Sequence, residues 1–202
     1  MKIVKVARLI DVGGFSATGQ WLATEKEIEA AIHSVQWPPG SGAFTLFEES
    51  GKKRGEGNGV RPIKRECMEK LRSLGWALEA TLDIATLVRA GAIDATRDVG
   101  GRYFALEWET GNISSSHRAL NKMALGMIKG VLAGGALIVP TREMYKYLTD
   151  RVGNFAELEP YFSMWGALRV QYGLLEVVAI EQDGVSRAVP RIPKGTEGRA
   201  SQ

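Results

Sequence analysis

The chain has 202 residues, with 26 Lys and Arg against 23 Asp and Glu and a formal net charge of +3. Its 45% hydrophobic and 24% charged content exclude wholesale disorder, and the length suffices to bury a substantial core in one domain, residues 1–202. The single Cys67 excludes a disulfide framework and a Cys-rich zinc module. No apolar run is long enough to span a membrane, and no signal-peptide pattern opens the chain, so the expected setting is the reducing cytoplasm.

Lys2 to Asp11 alternates β-branched residues and reads as a strand. Thr24 with Glu27 has the spacing of a capping box, which predicts a helix running to about Val35, stopped by Trp37-Pro38-Pro39-Gly40. Ala43 to Glu48 is a short strand, and Gly51 to Gly59, without an apolar residue, is a loop. Pro62 suits a first helical turn, and Ile63 to Leu74 carries apolar residues at helical spacing up to Gly75. Ile93 to Val99, Gly100-Gly101 and Arg102 to Glu109 form a hairpin with a two-residue turn. An amphipathic helix follows over Ser114 to Val131. Then come a buried strand at Ala136 to Pro140, short helices at Arg142 to Leu148 and Asn154 to Trp165, and a last strand at Leu174 to Ile180. Arg187 to Gln202 is a tail rich in Pro, Gly and charge. The sum is an α/β fold.

The hairpin register carries the chemistry. With Gly100-Gly101 at the turn, Val99 faces Arg102 and Asp94 faces Glu107. Directly opposed residues of an antiparallel pair share a sheet face, and Glu109 joins Glu107 there by the period of two. The other face carries Ile93, Ala95, Phe104, Leu106 and Trp108. Like charges driven together on a strand pair call for a hard cation, a basic partner or open solvent. Oxygen ligands without Cys or His suit Mg²⁺ or Mn²⁺. A solvated acidic face on an edge hairpin remains the plainer alternative.

Beyond Glu109, Gly111 and Asn112 lead into a helix that opens Ser114-Ser115-Ser116-His117-Arg118. Helix N-termini bind phosphate, Asn reads adenine edges and Arg reads guanine edges. Arg118, Lys122, Lys129, Arg142, Lys146 and Arg151 outnumber Glu143 and Asp150 over this stretch, as a polyanion site requires. Acids beside such a helix start point to phosphodiester hydrolysis. A glycosidase built on paired carboxylates is the competing enzyme class, and it needs its acids spaced across a sugar. Cys67, and Trp21, Trp37, Trp76 and Trp165, are expected in the core.

Glu107-Trp108-Glu109-Thr110-Gly111-Asn112-Ile113-Ser114-Ser115-Ser116-His117-Arg118, then Asn121-Lys122, closely resembles the active-site stretch of the BamHI family of type II restriction endonucleases. So do Tyr147-Leu148-Thr149-Asp150-Arg151-Val152-Gly153-Asn154-Phe155, Asn58-Gly59-Val60-Arg61-Pro62-Ile63-Lys64 and Ile192-Pro193-Lys194-Gly195. The resemblance spans about Trp37 to Gly198. It implies a restriction-endonuclease-like fold, a central mixed sheet flanked by helices, acting as a homodimer on double-stranded DNA. It implies Glu79, Asp94, Glu107 and Glu109 as catalytic residues, with Mg²⁺ on Glu79, Asp94, Glu107 and the Trp108 carbonyl. Mn²⁺ would substitute, and Ca²⁺ would support binding only. It implies DNA contacts from Asn112, Ser114, Arg118, Lys122, Asp150 and Arg151, and the target GGATCC cut after the first G. The wider superfamily usually has Lys at the place of Glu109, which leaves the general base open. A DNA-binding protein of the same fold with lost cleavage or relaxed specificity is the alternative within this resemblance.

Overall fold

A computed structural model describes residues 1–49, 57–84, 91–149 and 151–194. In chain order it contains β1 (Lys2–Val12), α1 (Gly19–His33), β2 (Thr45–Phe47), α2 (Arg61–Ser73), β3 (Ala77–Ala80), β4 (Ile93–Asp98) and β5 (Tyr103–Trp108). It continues with α3 (Ile113–Ile128), β6 (Leu132–Pro140), α4 (Arg142–Tyr145), α5 (Phe155–Leu158), α6 (Phe162–Gly166), β7 (Gly173–Glu181) and β8 (Gly184–Ser186). The main sheet runs β1-β7-β6-β5-β4-β3, and β2 pairs with β8 beside it. β5, β6 and β7 are parallel to one another; β1 on β7, β4 on β5 and β3 on β4 are antiparallel. This is the mixed sheet flanked by helices that the sequence implied.

The hairpin register is the expected one: Ala95 faces Leu106, Thr96 faces Ala105, Arg97 faces Phe104 and Asp98 faces Tyr103. Both turn glycines have positive φ, which is why glycine occupies both positions. The hairpin is interior, not an edge, because β6 covers β5 and β3 covers β4. The Asp94 and Glu107 side chains are also withdrawn from solvent. One apolar cluster packs Phe15, Trp21, Phe104 and Leu106 with Ile63, Cys67 and Leu71 of α2. A second, on the opposite side, packs Ile93 and Ala105 with Leu120, Met123 and Met127 of α3. Ile93 thus joins Ala105 rather than Ala95. Burying each such large apolar side chain contributes about 1.5–3 kcal/mol. α3 lies close on β6: a Cβ on Gly135 would meet Met123 Sδ at 2.4 Å.

Several boundaries differ from the sequence expectation. α1 begins at Gly19 with Thr18 as its cap, accepting from the Trp21 N–H. Thr24 is inside the helix and donates to the Gln20 carbonyl, so the Thr24/Glu27 spacing is not a cap. α3 begins at Ile113, one residue earlier than expected, with Asn112 as its cap, accepting from the Ser114 and Ser115 N–H groups. β6 starts at Leu132, and the segment from Asn154 to Trp165 is broken into α5, a 3₁₀ turn over Glu159–Tyr161 and α6, where Pro160 cannot donate to a continuous ladder. β3 and β8 add two strands. Cys67 is buried, and burial pushes its thiol up, so it is an inert packed side chain. Trp21, Trp76 and Trp165 are buried and Trp37 is half-buried. Asp150, most of the Gly51–Gly59 loop and the end of the tail lie outside the described residues.

Candidate active site

A cavity of about 460 Å³ opens at the carboxyl end of β5, beside the start of α3. Asp94, Glu107, Trp108 and Glu109 line one side, and Ser115, Arg118 and Lys122 line the α3 side. Lys64 of α2 also reaches it. In sheets with parallel strands, ligand crevices lie at the carboxyl ends of strands, and this one follows that rule.

Continuing the β4–β5 register places Asp94 opposite Glu107. Asp94 Oδ2 accepts from the Trp108 N–H at 2.8 Å, which locks the carboxylate to the neighbouring strand. Its Oδ1 accepts from Lys64 Nζ at 2.5 Å. Glu107 forms an ion pair with Lys122, whose ammonium also donates to the Ala92 carbonyl at 2.9 Å. Burial, and then repulsion from Asp94, push the Glu107 carboxyl up to about 7; Lys122 and the Asp94 N–H oppose that rise. Glu109 is held by two donors, the Gly111 N–H at 2.5 Å and the buried Ser116 hydroxyl at 2.9 Å. A carboxylate has about four lone-pair sites, so Glu109 keeps acceptor capacity for the cavity.

The structure does not bring Glu79 to this cavity. The β3–β4 register, Leu78 with Ala95 and Ala80 with Ile93, sets Glu79 across from Asp94. Its backbone is left-handed at φ 50°, and the residue is exposed. Lys122, expected on DNA, is tucked against Glu107 with its side chain only 10% exposed. Asn112, Ser114, Arg118 and Arg151 are exposed, as base-reading residues must be. Arg151 sits close to α3's start because the Gly153 N–H donates to the Gly111 carbonyl at 2.9 Å. The sequence reading assigned no role to Lys64. A signal for it existed: Lys64 stands three, four and seven positions before Cys67, Met68 and Leu71, on the apolar stripe of α2.

Among the described residues, no group of three or more His, Cys, Asp or Glu side chains is arranged to hold a metal. Two carboxylates and a backbone carbonyl nevertheless fit Mg²⁺, which binds through one or two carboxylates and keeps water or phosphate oxygens for the rest. Glu107 Oε1 supports that fit. It is buried, and the partner it has in this structure is itself a cation, the Lys122 ammonium.

The Restriction endonuclease BamHI family model matches residues 1–199. The chain belongs to the BamHI family. The type II restriction enzyme OkrAI of Oceanobacter kriegii is 50% identical to this family member over 200 residues, 99% of both chains. The type II restriction enzyme BamHI of Bacillus amyloliquefaciens is 34% identical over 183 residues, 87% of this chain and 82% of that one. Among solved structures, the restriction endonuclease BglII complexed with a DNA 16-mer superposes with a TM-score of 0.65 at 12% identity, over 91% of this chain and 79% of BglII. This BamHI-family chain is therefore a type II restriction endonuclease, a site-specific deoxyribonuclease, with a restriction-endonuclease fold. Among the described residues, no helix of the family member is long and apolar enough to cross a membrane.

Proposed function

We propose that residues 1–202 form one endonuclease domain that cuts double-stranded DNA at GGATCC after the first G, leaving GATC 5′ overhangs. It would act in the cytoplasm as a homodimer with Mg²⁺. The observation that carries this reading is the delivery of Asp94, Glu107 and Glu109 to one cavity walled by the start of α3. Asp94, Glu107 and the Trp108 carbonyl would hold Mg²⁺, which when bound supplies charge neutralisation at the scissile phosphate and a more acidic water. Glu109, oriented by Gly111 and Ser116, would accept the proton of the attacking water. Glu79 lies outside this set and would need to turn toward Asp94 to enter it.

Family resemblance supports the base readers. Arg118 and Arg151 suit paired hydrogen bonds to guanine, Asp150 suits the cytosine amino group, and Asn112 with Ser114 suits the inner pairs. Asn112 Oδ1 is committed to capping, which leaves its amide N–H groups for DNA. A two-fold dimer matches a palindrome, one half-site per subunit. Exposed Leu125 and Ile128 on α3, and Tyr161 and Met164 on the Glu159–Gly166 segment, supply an apolar face for it.

The test is a digest of two plasmids that differ by a single GGATCC, with Mg²⁺ and separately with Ca²⁺. Linearisation of only the site-bearing plasmid, only with Mg²⁺, with ends that religate through GATC, is the expected result. Mn²⁺ should substitute for Mg²⁺. A gel shift on that site in Ca²⁺ without cleavage in Mg²⁺ would refute the catalytic assignment and leave base reading in place. Neither cutting nor shifting would refute both.

A further inference from the structure

The acid pair already carries two cations of its own. Lys64 reaches Asp94 from α2, and Lys122 reaches Glu107 from α3, helices that pack on opposite faces of the sheet. The side chains are largely withdrawn from solvent, Lys64 to 22% exposure and Lys122 to 10%. Among the described residues, Asp94 and Glu107 make no other ion pair. Asp94 spends its other oxygen on the Trp108 N–H. Two ammonium groups bring the same charge as one divalent cation.

We infer that Lys64 and Lys122 are resident counter-ions of the acid pair in the metal-free protein, and that a divalent cation binds by exchange with them. This rests on the proposed metal site and goes beyond it. Without the lysines, two opposed carboxylates would repel within a covered sheet. With them, the metal-free fold is neutralised, and the cation must break two ion pairs to enter. Each released ammonium swings into a cavity that Arg118 also lines, where a phosphodiester would meet it. The lysines act as positioning residues: they preset the carboxylates, then yield them.

The experiment follows Ca²⁺ binding by calorimetry and thermal denaturation at about pH 8, where carboxylates are ionised, for the unmodified protein, Lys64→Met and Lys122→Met. Each variant should melt lower than the unmodified protein without metal and bind Ca²⁺ about tenfold more tightly, because no partly buried ion pair has to be broken. In an Asp94→Asn background, Lys64→Met should cost no further metal-free stability. Should a Met variant fail to fold, lysine ammonium resonances of the ¹⁵N-labelled unmodified protein answer the question. Two exchange-protected signals should be present without metal and lost on Ca²⁺ saturation. Ca²⁺ affinity that is unchanged or weaker in the variants, or ammonium signals that stay protected in saturating Ca²⁺, would overturn the inference. Absence of Ca²⁺ binding by the unmodified protein would overturn it together with the metal site, whereas the plasmid digest tests cleavage separately.

Discussion

Glu176 lies in the middle of β7, 4% exposed, with Arg8 Nε 3.8 Å from its Oε2. Burial pushes its carboxyl up to about 7, Asp11, Glu25 and Glu29 add to the rise, and Arg8 opposes it. The folded chain therefore keeps a proton on Glu176 in a pH range where the unfolded chain has lost it. Stability drains as pH climbs from about 4.5, the ordinary value, through about 7, and the loss is complete above that. At about 1.4 kcal/mol per pH unit, the penalty at about pH 8 is roughly 3 kcal/mol. Glu176→Gln keeps the volume and removes the titration. Urea denaturation should show the variant matching the unmodified protein near about pH 4.5 and exceeding it by about 3 kcal/mol at about pH 8. Arg8 retains Glu25 and Asp11 as partners, so its own charge stays paired. A stability difference independent of pH, or a variant less stable at the higher pH, would refute the reasoning.

Asn58 is fully buried and bridges three segments: Oδ1 accepts from the Phe47 and Ile192 N–H groups, and Nδ2 donates to the Phe47 and Tyr147 carbonyls. Asn58→Ala strands those groups and should cost about 3 kcal/mol in urea denaturation, and a loss below about 1 kcal/mol would contradict this accounting. Ser116→Ala removes one of Glu109's two donors; it should slow single-turnover cleavage at least about tenfold and destabilise by about 1–2 kcal/mol, with the Ca²⁺ gel shift retained. An equal loss of DNA affinity would place Ser116 in binding instead. Met164→Glu sets a charge among the exposed apolar side chains proposed as the dimer face, and sedimentation velocity should show the proposed dimer giving way to monomer, whereas a dimer that persists in the variant would move the interface elsewhere.

The hairpin was legible because its turn glycines and its period of two are local signals that fix register without knowledge of the rest of the chain. Asp94 and Glu107 followed from that register. β3 and β8 were not legible: four and three residues long, they form only because β4 and β2 offer ladders from far along the chain. At α1, the Thr24/Glu27 spacing competed with Trp21, whose complete burial draws the helix start back to Thr18. Pro160 was readable as a break, but the apolar spacing around it is continuous across α5 and α6. Glu79's place depends on a left-handed backbone that nothing in its neighbours announces. Lys64 carried a local sign of burial, yet its partner on β4 is thirty residues away and only the packed sheet shows it.

Glu109 directly follows β5, which bears Glu107, and its two hydrogen bonds run to Gly111 and Ser116, which frame the Asn112 cap; Gly111 in turn is tied to Gly153, two residues from Arg151. A Cβ on Gly153 would lie 2.3 Å from the Ser116 hydroxyl, so even alanine there presses on the same joint. Efforts to retarget the enzyme to a new DNA sequence by diversifying 111–118 and 151–154 would therefore disturb Glu109, the carboxylate proposed to act on the attacking water. Libraries that hold Glu109, Gly111, Ser116 and Gly153 fixed, and vary only the outward-facing Ser114, Arg118 and Arg151, should yield altered recognition with turnover preserved.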